Sequence, residues 1–267
     1  MSEDEKLACL TLDLENDWYF DEPGYDHLTF EYIDEFVEMI TDLDVPITFF
    51  AVGRTIERFP DVINKLENQL DCEFHLHSYQ HDTSKDYEFR EEVHQGKEAF
   101  RNHFGVDPIG YRAPQGNITD RELSQLEELG FKFDASIFPS YRPGVYNNLS
   151  SPLEPYTSAA VSSLLEIPFG AFPGVRIPTS HSYFKLVGKP LSAYLSVSPL
   201  PNVLIYNIHL QDLYKTDSHD QLQFPKEWIM KRNLKNSERI LRENISTIHS
   251  RGYKWTTMTE VYHAYTT

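Results

Sequence analysis

The sequence predicts an α/β fold, and within that class a closed or nearly closed β/α barrel. Short runs rich in β-branched and aromatic residues alternate with segments whose apolar residues recur at helical spacing, which implies parallel strands joined by helices. About seven such units fit into the chain, and that number favours a barrel over an open doubly wound sheet. No glycine-rich phosphate loop follows a predicted strand, so a nucleotide-binding sheet is disfavoured as well.

Six runs have the length and composition of buried strands. In chain order they are LACLTLDL (7–14), ITFFAV (47–52), CEFHLHS (72–78), FKFDAS (131–136), LLEIPF (164–169) and VLIYNIHL (203–210).

Helices are predicted between several of these strands. Apolar residues at helical spacing mark segments at 33–40, 89–104 and 234–248. Thr119 and Glu122 form a capping box that opens a helix ending at Gly130, and a last short helix is predicted to begin at Thr257.

Residues 1–267 are predicted to form a single catalytic domain. Residues 139–202 are rich in proline, glycine, serine and tyrosine, which favours long ordered loops over one rim of the barrel rather than a second domain. The start of the chain resembles no signal peptide, and no run approaches the length of a transmembrane helix. We therefore expect a cytoplasmic protein.

The formal charge of −17 and the pI near 5.0 argue against nucleic acid or an anionic membrane surface as the main partner, because both would repel the chain. Two interpretations of this acidity remain: self-repulsion that keeps the protein soluble, and adaptation to a high-salt habitat. Cys9 and Cys72 both lie in predicted strands, so we expect reduced, buried thiols.

Ionisable residues collect where the predicted strands end, and the loops that leave the carboxyl ends of barrel strands converge around one mouth. This distribution predicts a site at that rim. The residues are Asp13, Glu15, His77, His81, Asp134, His209 and Asp212.

The segment HSYQH offers the best metal ligands in the chain. His77 and His81 lie four residues apart across a strand-to-turn junction, and two neutral imidazoles need at least one anionic ligand to complete a catalytic site. Asp13 and Glu15 share one side of the first predicted strand, so one can bind the metal while the other handles a proton, and Asp17 is the rival ligand. His75 shares a strand face with His77, and its assignment stays open between the core and the site. A helical metalloprotease is disfavoured because Ser78 stands where that motif has its catalytic glutamate.

Five segments together resemble the polysaccharide deacetylase family, the carbohydrate esterases that share the NodB-homology domain. In chain order these are LTLDLEND, TFFAVG, HSYQH, YRAPQG and IYNIHLQDL. The resemblance implies a distorted (β/α)7 barrel of the NodB type. It also implies a divalent metal, with zinc preferred, and hydrolysis of an N-acetyl group from an amino sugar.

The resemblance further implies a role for each candidate residue. Asp13 would be the general base and His209 the general acid, while Glu15, His77 and His81 would bind the metal. Three further residues would assist: Arg112 would orient Asp13, Asp134 would tune His209, and Gln115 would lend a backbone N–H to the oxyanion. The chain departs from the common first motif because its acids are spaced as Asp13, Glu15 and Asp17 instead of being adjacent.

The implied partner is a carbohydrate, and a cytoplasmic location favours a lipid-linked or nucleotide-linked precursor over an external polymer. Two alternatives stay open: a hydrolase of another C–N bond, such as a cyclic imide or ureide, and a barrel that binds glycans without catalysis. Five aromatic residues are candidates to stack on sugar rings, although such residues more often anchor their own loops: Trp18, Tyr141, Tyr146, Tyr183 and Phe184. The sequence predicts no oligomeric state.

Overall fold

A computed structural model describes residues 5–17 and 24–266, and a curled β-sheet forms its centre. Within these ranges no helix combines the length and the apolar character needed to cross a membrane. The strands are, in chain order, β1 (Leu7–Leu14), β2 (Ile47–Ala51), β3 (Cys72–Leu76), β4 (Gly110–Tyr111), β5 (Phe133–Asp134), β6 (Tyr141–Arg142), β7 (Tyr146–Asn147), β8 (Tyr156–Thr157), β9 (Leu165–Glu166), β10 (Val203–Ile208) and β11 (Lys254–Trp255).

The helices pack around the sheet, and those predicted from periodicity are present. The Thr119–Glu122 capping box forms as expected at the start of α5. The α-helices are α1 (Ile33–Leu43), α2 (Gly53–Arg58), α3 (Pro60–Gln69), α4 (Phe89–Phe104), α5 (Asp120–Glu128), α6 (His181–Val187), α7 (Lys189–Val197), α8 (Lys226–Lys231), α9 (Ser237–Ser250) and α10 (Met258–Thr266).

The main sheet runs in the order β10-β1-β2-β3-β4-β5-β9-β8, with β11 beside the start of β1. All neighbouring pairs along this order are parallel except β8 and β9. The sheet is a curled half-barrel, which agrees with the predicted distorted (β/α)7 barrel. Near the gap between β9 and β10, the Gly170 N–H donates to the Ile205 carbonyl at 3.2 Å, and the Thr179 hydroxyl donates to the same carbonyl at 2.9 Å.

Alternation along the strands separates two environments, because successive side chains of a strand point to opposite faces. On β1, Leu10 and Leu12 pack outward into the large core between sheet and helices. Leu7 and Cys9 instead belong to a smaller cluster that also contains Met258 of α10. Asp13 lies on the same face of β1 as Leu7 and Cys9, near the carboxyl end of the strand, and therefore reaches the rim. The same alternation on β3 and β10 brings further polar residues to this rim.

The predicted rim loops at 139–202 are only partly loops. The segment forms a β6–β7 hairpin, the antiparallel β8–β9 pair and two helices, α6 and α7. Phe184 of α6 is fully buried against the outer core, and its ring stacks on Tyr206 of β10. A hydrophobic anchor of this kind makes a short helix stable in a segment whose composition predicts loop.

His181, at the start of α6, is fully buried and should make folding sensitive to acid. Its Nδ1 lies 3.1 Å from the Tyr206 hydroxyl and its Nε2 lies 2.7 Å from the Ser237 hydroxyl. Burial lowers the pKa of His181 to about 4. Since a histidine in the unfolded chain titrates near ~6.5, this stabilisation is complete above that pH and decreases as the pH falls towards 4.

We expect the unfolding free energy to decrease by roughly 3 kcal/mol across that pH range through His181 alone. Urea unfolding at a series of pH values, with His181→Gln as the comparison, tests this. A variant with the same pH slope as the wild type between pH 6.5 and 4 would show that the slope arises elsewhere.

Candidate active site

Glu15, His77 and His81 bring one ligand atom each to within 4.8 Å of one another, and all three residues are buried. The Glu15 Oε2 atom lies 2.7 Å from Nε2 of His81 and 3.5 Å from Nε2 of His77. The Nδ1 of His77 lies 2.8 Å from the Arg112 carbonyl, so this ring donates its Nδ1 proton there and turns Nε2 towards Glu15. Two imidazoles and one carboxylate in this arrangement fit a divalent metal.

The cluster is held together by ion pairing as well as by position. Burial by itself would raise the pKa of Glu15, but the His81 charge and the hydrogen bonds from His77 and His81 outweigh it, so the pKa of Glu15 lies below its usual range. The carboxylate is therefore ionised and ready to bind a cation.

The loop between the two histidines is held by Glu92 of α4, a residue that sequence reasoning missed. Glu92 is 2 % exposed, and its Oε1 accepts hydrogen bonds from the Ser78 hydroxyl at 2.5 Å, the Tyr79 N–H at 2.9 Å and the Gln80 N–H at 2.6 Å. Ser78 and His81 both adopt left-handed backbone conformations, with φ of 64° and 61°. Because such conformations cost energy in non-glycine residues, the loop needs these three bonds.

Replacing Glu92 by leucine should weaken metal binding about 10–100-fold, the usual cost of losing a group that orients metal ligands. Glu92→Gln, which keeps an oxygen acceptor, should lose less. Competition with a fluorescent zinc chelator measures the affinity, and Glu91→Leu at the exposed neighbouring position is the matched control. Equal zinc affinity in Glu92→Leu and wild type would exclude this role.

Asp13 lies beside the cluster and is fixed by Arg112 of the YRAPQG segment. Arg112 Nη1 donates to Asp13 Oδ1 at 2.6 Å, and His209 Nε2 lies 3.5 Å from Asp13 Oδ2. Burial alone would raise the pKa of Asp13, but the Arg112 and His77 charges and the His209 hydrogen bond hold it below its usual range. The predicted contact between Arg112 and Asp13 is present.

Arg112 itself is enclosed by two aromatic rings and a hydrogen-bonded layer. Its guanidinium carbon lies 3.9 Å from the centre of the Phe50 ring and 4.3 Å from that of Phe169. Nη1 also donates to Thr11 Oγ1 and to Asn207 Oδ1, at 3.1 Å and 3.0 Å. A planar cation between two rings cannot tilt away from Asp13.

His209, which follows β10, is oriented by Asp212. Its Nδ1 lies 3.5 Å from Asp212 Oδ2, while its Nε2 faces Asp13. Burial alone would lower the pKa of His209, but hydrogen bonds to Asp13 and Asp212 raise it well above its usual value. The ring is thus protonated between two carboxylates.

The prediction that Asp134 tunes His209 is wrong. Asp134 is fully buried and accepts bonds from the Ser136 hydroxyl at 2.7 Å and the Ser136 N–H at 3.2 Å. It also shares a side-chain hydrogen bond with Glu166, and burial raises the pKa of both carboxyl groups. Asp134 therefore lies beside a second buried acid, Glu166 of the neighbouring strand, and the carboxylate that faces His209 is that of Asp212.

Two other open assignments are decided by position. The Asp17 carboxylate accepts the Thr29 hydroxyl at 2.6 Å and the Thr29 N–H at 3.1 Å, and it is absent from the described group of Glu15, His77 and His81. Burial raises the pKa of Asp17 to about 6. His75 lies deeper in the barrel, 3.2 Å from Glu73 and 3.3 Å from the Thr259 hydroxyl, where it packs against Phe133. Both residues therefore make their contacts outside the group of Glu15, His77 and His81.

Six of the candidate residues line one cavity of about 110 Å³. Gln115 lies in its wall within a short 3-10 turn, and its φ of 56° places its backbone at a sharp change of direction. The lining residues are Asp13, Glu15, His77, Arg112, Ala113, Gln115, Gly116, Phe138, Arg142, Phe169 and His209.

Of the described aromatic residues considered for sugar stacking, three pack against other residues of the protein and one is exposed. Phe184 is buried, Tyr183 packs against the outer core, and Tyr146 stacks on Phe138 with centroids 5.6 Å apart. Tyr141, at the hairpin that carries Arg142, is 58 % exposed. Trp18 lies outside the described residues.

Comparison with known proteins agrees with this geometry. Residues 15–133 match the model of the polysaccharide deacetylase family, and this range includes Glu15, the HSYQH segment and YRAPQG. This part of the chain is similar to the polysaccharide deacetylases. A peptidoglycan-N-acetylglucosamine deacetylase of Bacillus cereus is 30% identical over 135 residues, which cover 48% of this chain and 44% of that protein. The match therefore spans less than half of the curated relative.

Solved structures of this group share the fold of the chain. A protein from Mycobacterium smegmatis, provisionally assigned as a polysaccharide deacetylase, superposes with a TM-score of 0.65 at 19% identity, covering 99% of this chain and 92% of that one. A peptidoglycan N-acetylglucosamine deacetylase solved with a hydroxamate ligand gives 0.58 at 15% identity and covers 97% and 89%. A CE4 pseudoenzyme from Bacillus anthracis gives 0.57 at 14% identity and covers 97% and 66%. Because a pseudoenzyme shares the fold, activity must be argued from the site residues.

Proposed function

We propose that this protein is a metal-dependent hydrolase that removes the N-acetyl group from an amino sugar in a glycan or glycan precursor. The observation that carries the proposal is the convergence of three metal-ligand candidates with an acid–base pair on one cavity. Asp13 and His209 face each other beside Glu15, His77 and His81.

The donor set suits zinc. Catalytic zinc sites use three protein ligands and keep a further position for water or substrate, and a set of two histidines and one carboxylate is among those that zinc accepts. When bound, such a cation lowers the pKa of water and polarises a carbonyl oxygen. The hydrogen bond from His77 to the Arg112 carbonyl is the type of outer contact that fixes a ligand ring.

The protein's own groups divide the proton transfers of amide hydrolysis. One carboxylate oxygen of Asp13 accepts a proton from the attacking water, while Arg112 donates to the other carboxylate oxygen. The water oxygen then bonds to the acyl carbon. The Gln115 N–H donates to the oxygen on which negative charge develops. His209 Nε2 then donates its proton to the sugar nitrogen as the C–N bond breaks, and acetate and a free amine leave.

For the substrate we propose a lipid-linked or nucleotide-linked N-acetylhexosamine, in keeping with the expected cytoplasmic location. The named activity of the Bacillus cereus relative supports a peptidoglycan-type glycan as the other candidate. Both contain the same N-acetyl group on an amino sugar, so the chemistry is common to the two.

Acetate release from N-acetylhexosamine oligomers and from lipid-linked and nucleotide-linked sugars tests the proposal. Activity should disappear after treatment with a chelator and return when zinc is added back. Release that continues after complete metal removal would defeat the metal-dependent mechanism. Glycan binding without acetate release, with zinc present, would support the pseudoenzyme alternative.

A further inference from the structure

Lys185 of α6 is a buried cation behind the candidate site. Its side chain is 1 % exposed, and its Nζ lies 2.8 Å from Asp212 Oδ1 and donates to the Met230 carbonyl at 2.6 Å. Asp212 is equally buried, at 1 %. Burying such a pair costs several kcal/mol per ion in lost hydration before the attraction between the two charges is counted. A buried lysine at this position therefore suggests that its charge serves a function.

Asp212 is held from three directions. Its Oδ2 accepts a bond from the Ser182 hydroxyl of α6, and its carbonyl accepts one from the Ser237 hydroxyl of α9. Its own N–H donates to the His209 carbonyl at 3.0 Å, which fixes the turn between the two residues. The carboxylate thus has one oxygen on Lys185 and the other towards His209.

The geometry points to Lys185 as a positioning residue that, through Asp212, fixes the ring orientation of His209. This inference rests on the proposed deacetylase function, in which His209 is the general acid. With Asp212 ionised, His209 directs its Nδ1–H towards Asp212 and presents its Nε2–H to Asp13 and the cavity. Without the Lys185 charge, a protonated or amide side chain at 212 can turn its donor towards Nδ1 and reverse the ring, as occurs when the aspartate of a serine-protease triad becomes asparagine.

A double-mutant comparison separates positioning from stability. Lys185→Met leaves Asp212 without its lysine partner and should lower the melting temperature. In Lys185→Met/Asp212→Asn both charges of the Lys185–Asp212 pair are removed, so the melting temperature should recover. We expect kcat to stay at least ~10-fold below wild type in the double variant, with KM unchanged, because the ionised acceptor is still missing. Recovery of both kcat and melting temperature in the double variant would overturn the inference and leave Lys185 a structural role.

A spectroscopic readout keeps the inference independent of activity. In protein labelled with ¹⁵N-histidine, we expect an Nδ1–H signal of His209 in the wild type that is lost or shifted both in Lys185→Met and in the double variant. Lys189→Met, at an exposed position on α7, is the matched control and should change neither kcat nor this signal. If the wild type releases no acetate but the signal changes in Lys185→Met, the proposed function fails and the positioning role stands. An unchanged signal in Lys185→Met would refute the positioning role itself.

Discussion

Asp13→Asn is expected to lower kcat by about 10²-fold or more, the usual contribution of a general base. Asparagine retains the shape of the side chain and an acceptor for Arg112, but it cannot take a proton from water. Metal content should stay at the wild-type level, because Asp13 lies beside the group of Glu15, His77 and His81 and is not part of it. Steady-state acetate release and metal analysis of the same preparation measure both quantities.

Asp17→Asn is the matched control for this substitution. Asp17 is another buried acid of the same segment, but its carboxylate bonds to Thr29. The Asp17→Asn variant should therefore retain wild-type kcat. If Asp13→Asn retains more than about a tenth of wild-type kcat, where general bases contribute 10²–10⁴-fold, another group must act as the base.

His77→Ala is expected to abolish stoichiometric zinc binding and, with it, acetate release. His77 supplies one of three ligand atoms, and two ligands hold zinc far more weakly than three. Zinc per protein chain after dialysis against a limiting chelator gives the readout. His75→Ala, on the same strand but outside the cluster, should keep its zinc. Equal zinc content in His77→Ala and wild type would remove His77 from the ligand set.

The strands that carry the site could be predicted where the chain shows a long, regular pattern. β1 has the predicted bounds, and its alternation correctly brings Asp13 and Glu15 to one face. β4 escaped prediction because it is two residues long and begins with Gly110, which has no side chain to mark a pattern. Gly110 is required there: a Cβ at this position would lie 2.2 Å from the Phe133 ring. Contacts of this kind are tertiary and leave no periodic trace.

The grouping of Glu15, His77 and His81 beside Asp13 and His209 could also be predicted, but the residues that support this group largely could not. The family resemblance implies Asp134 as the partner of His209, whereas the short turn after His209 brings Asp212 to that ring. Glu92 did leave a signal, since an acid stands next to Val93 in the apolar stripe of α4. Lys185 left none, because its helix lies in a segment whose composition predicts loops.

The contacts across the gap between β9 and β10 affect the geometry of the candidate site. Strands elsewhere in the wall are joined by ladders, but here the Gly170 backbone and the Thr179 hydroxyl meet a single carbonyl, that of Ile205. Any side chain at position 170 would clash at this contact, since its Cβ would come within 2.2 Å of Thr179 Oγ1 and 2.6 Å of the Ile205 carbonyl oxygen. Ile205 lies two residues before Asn207 and four before His209, so separating β9 from β10 at this point would displace His209 relative to Asp13 without changing either residue.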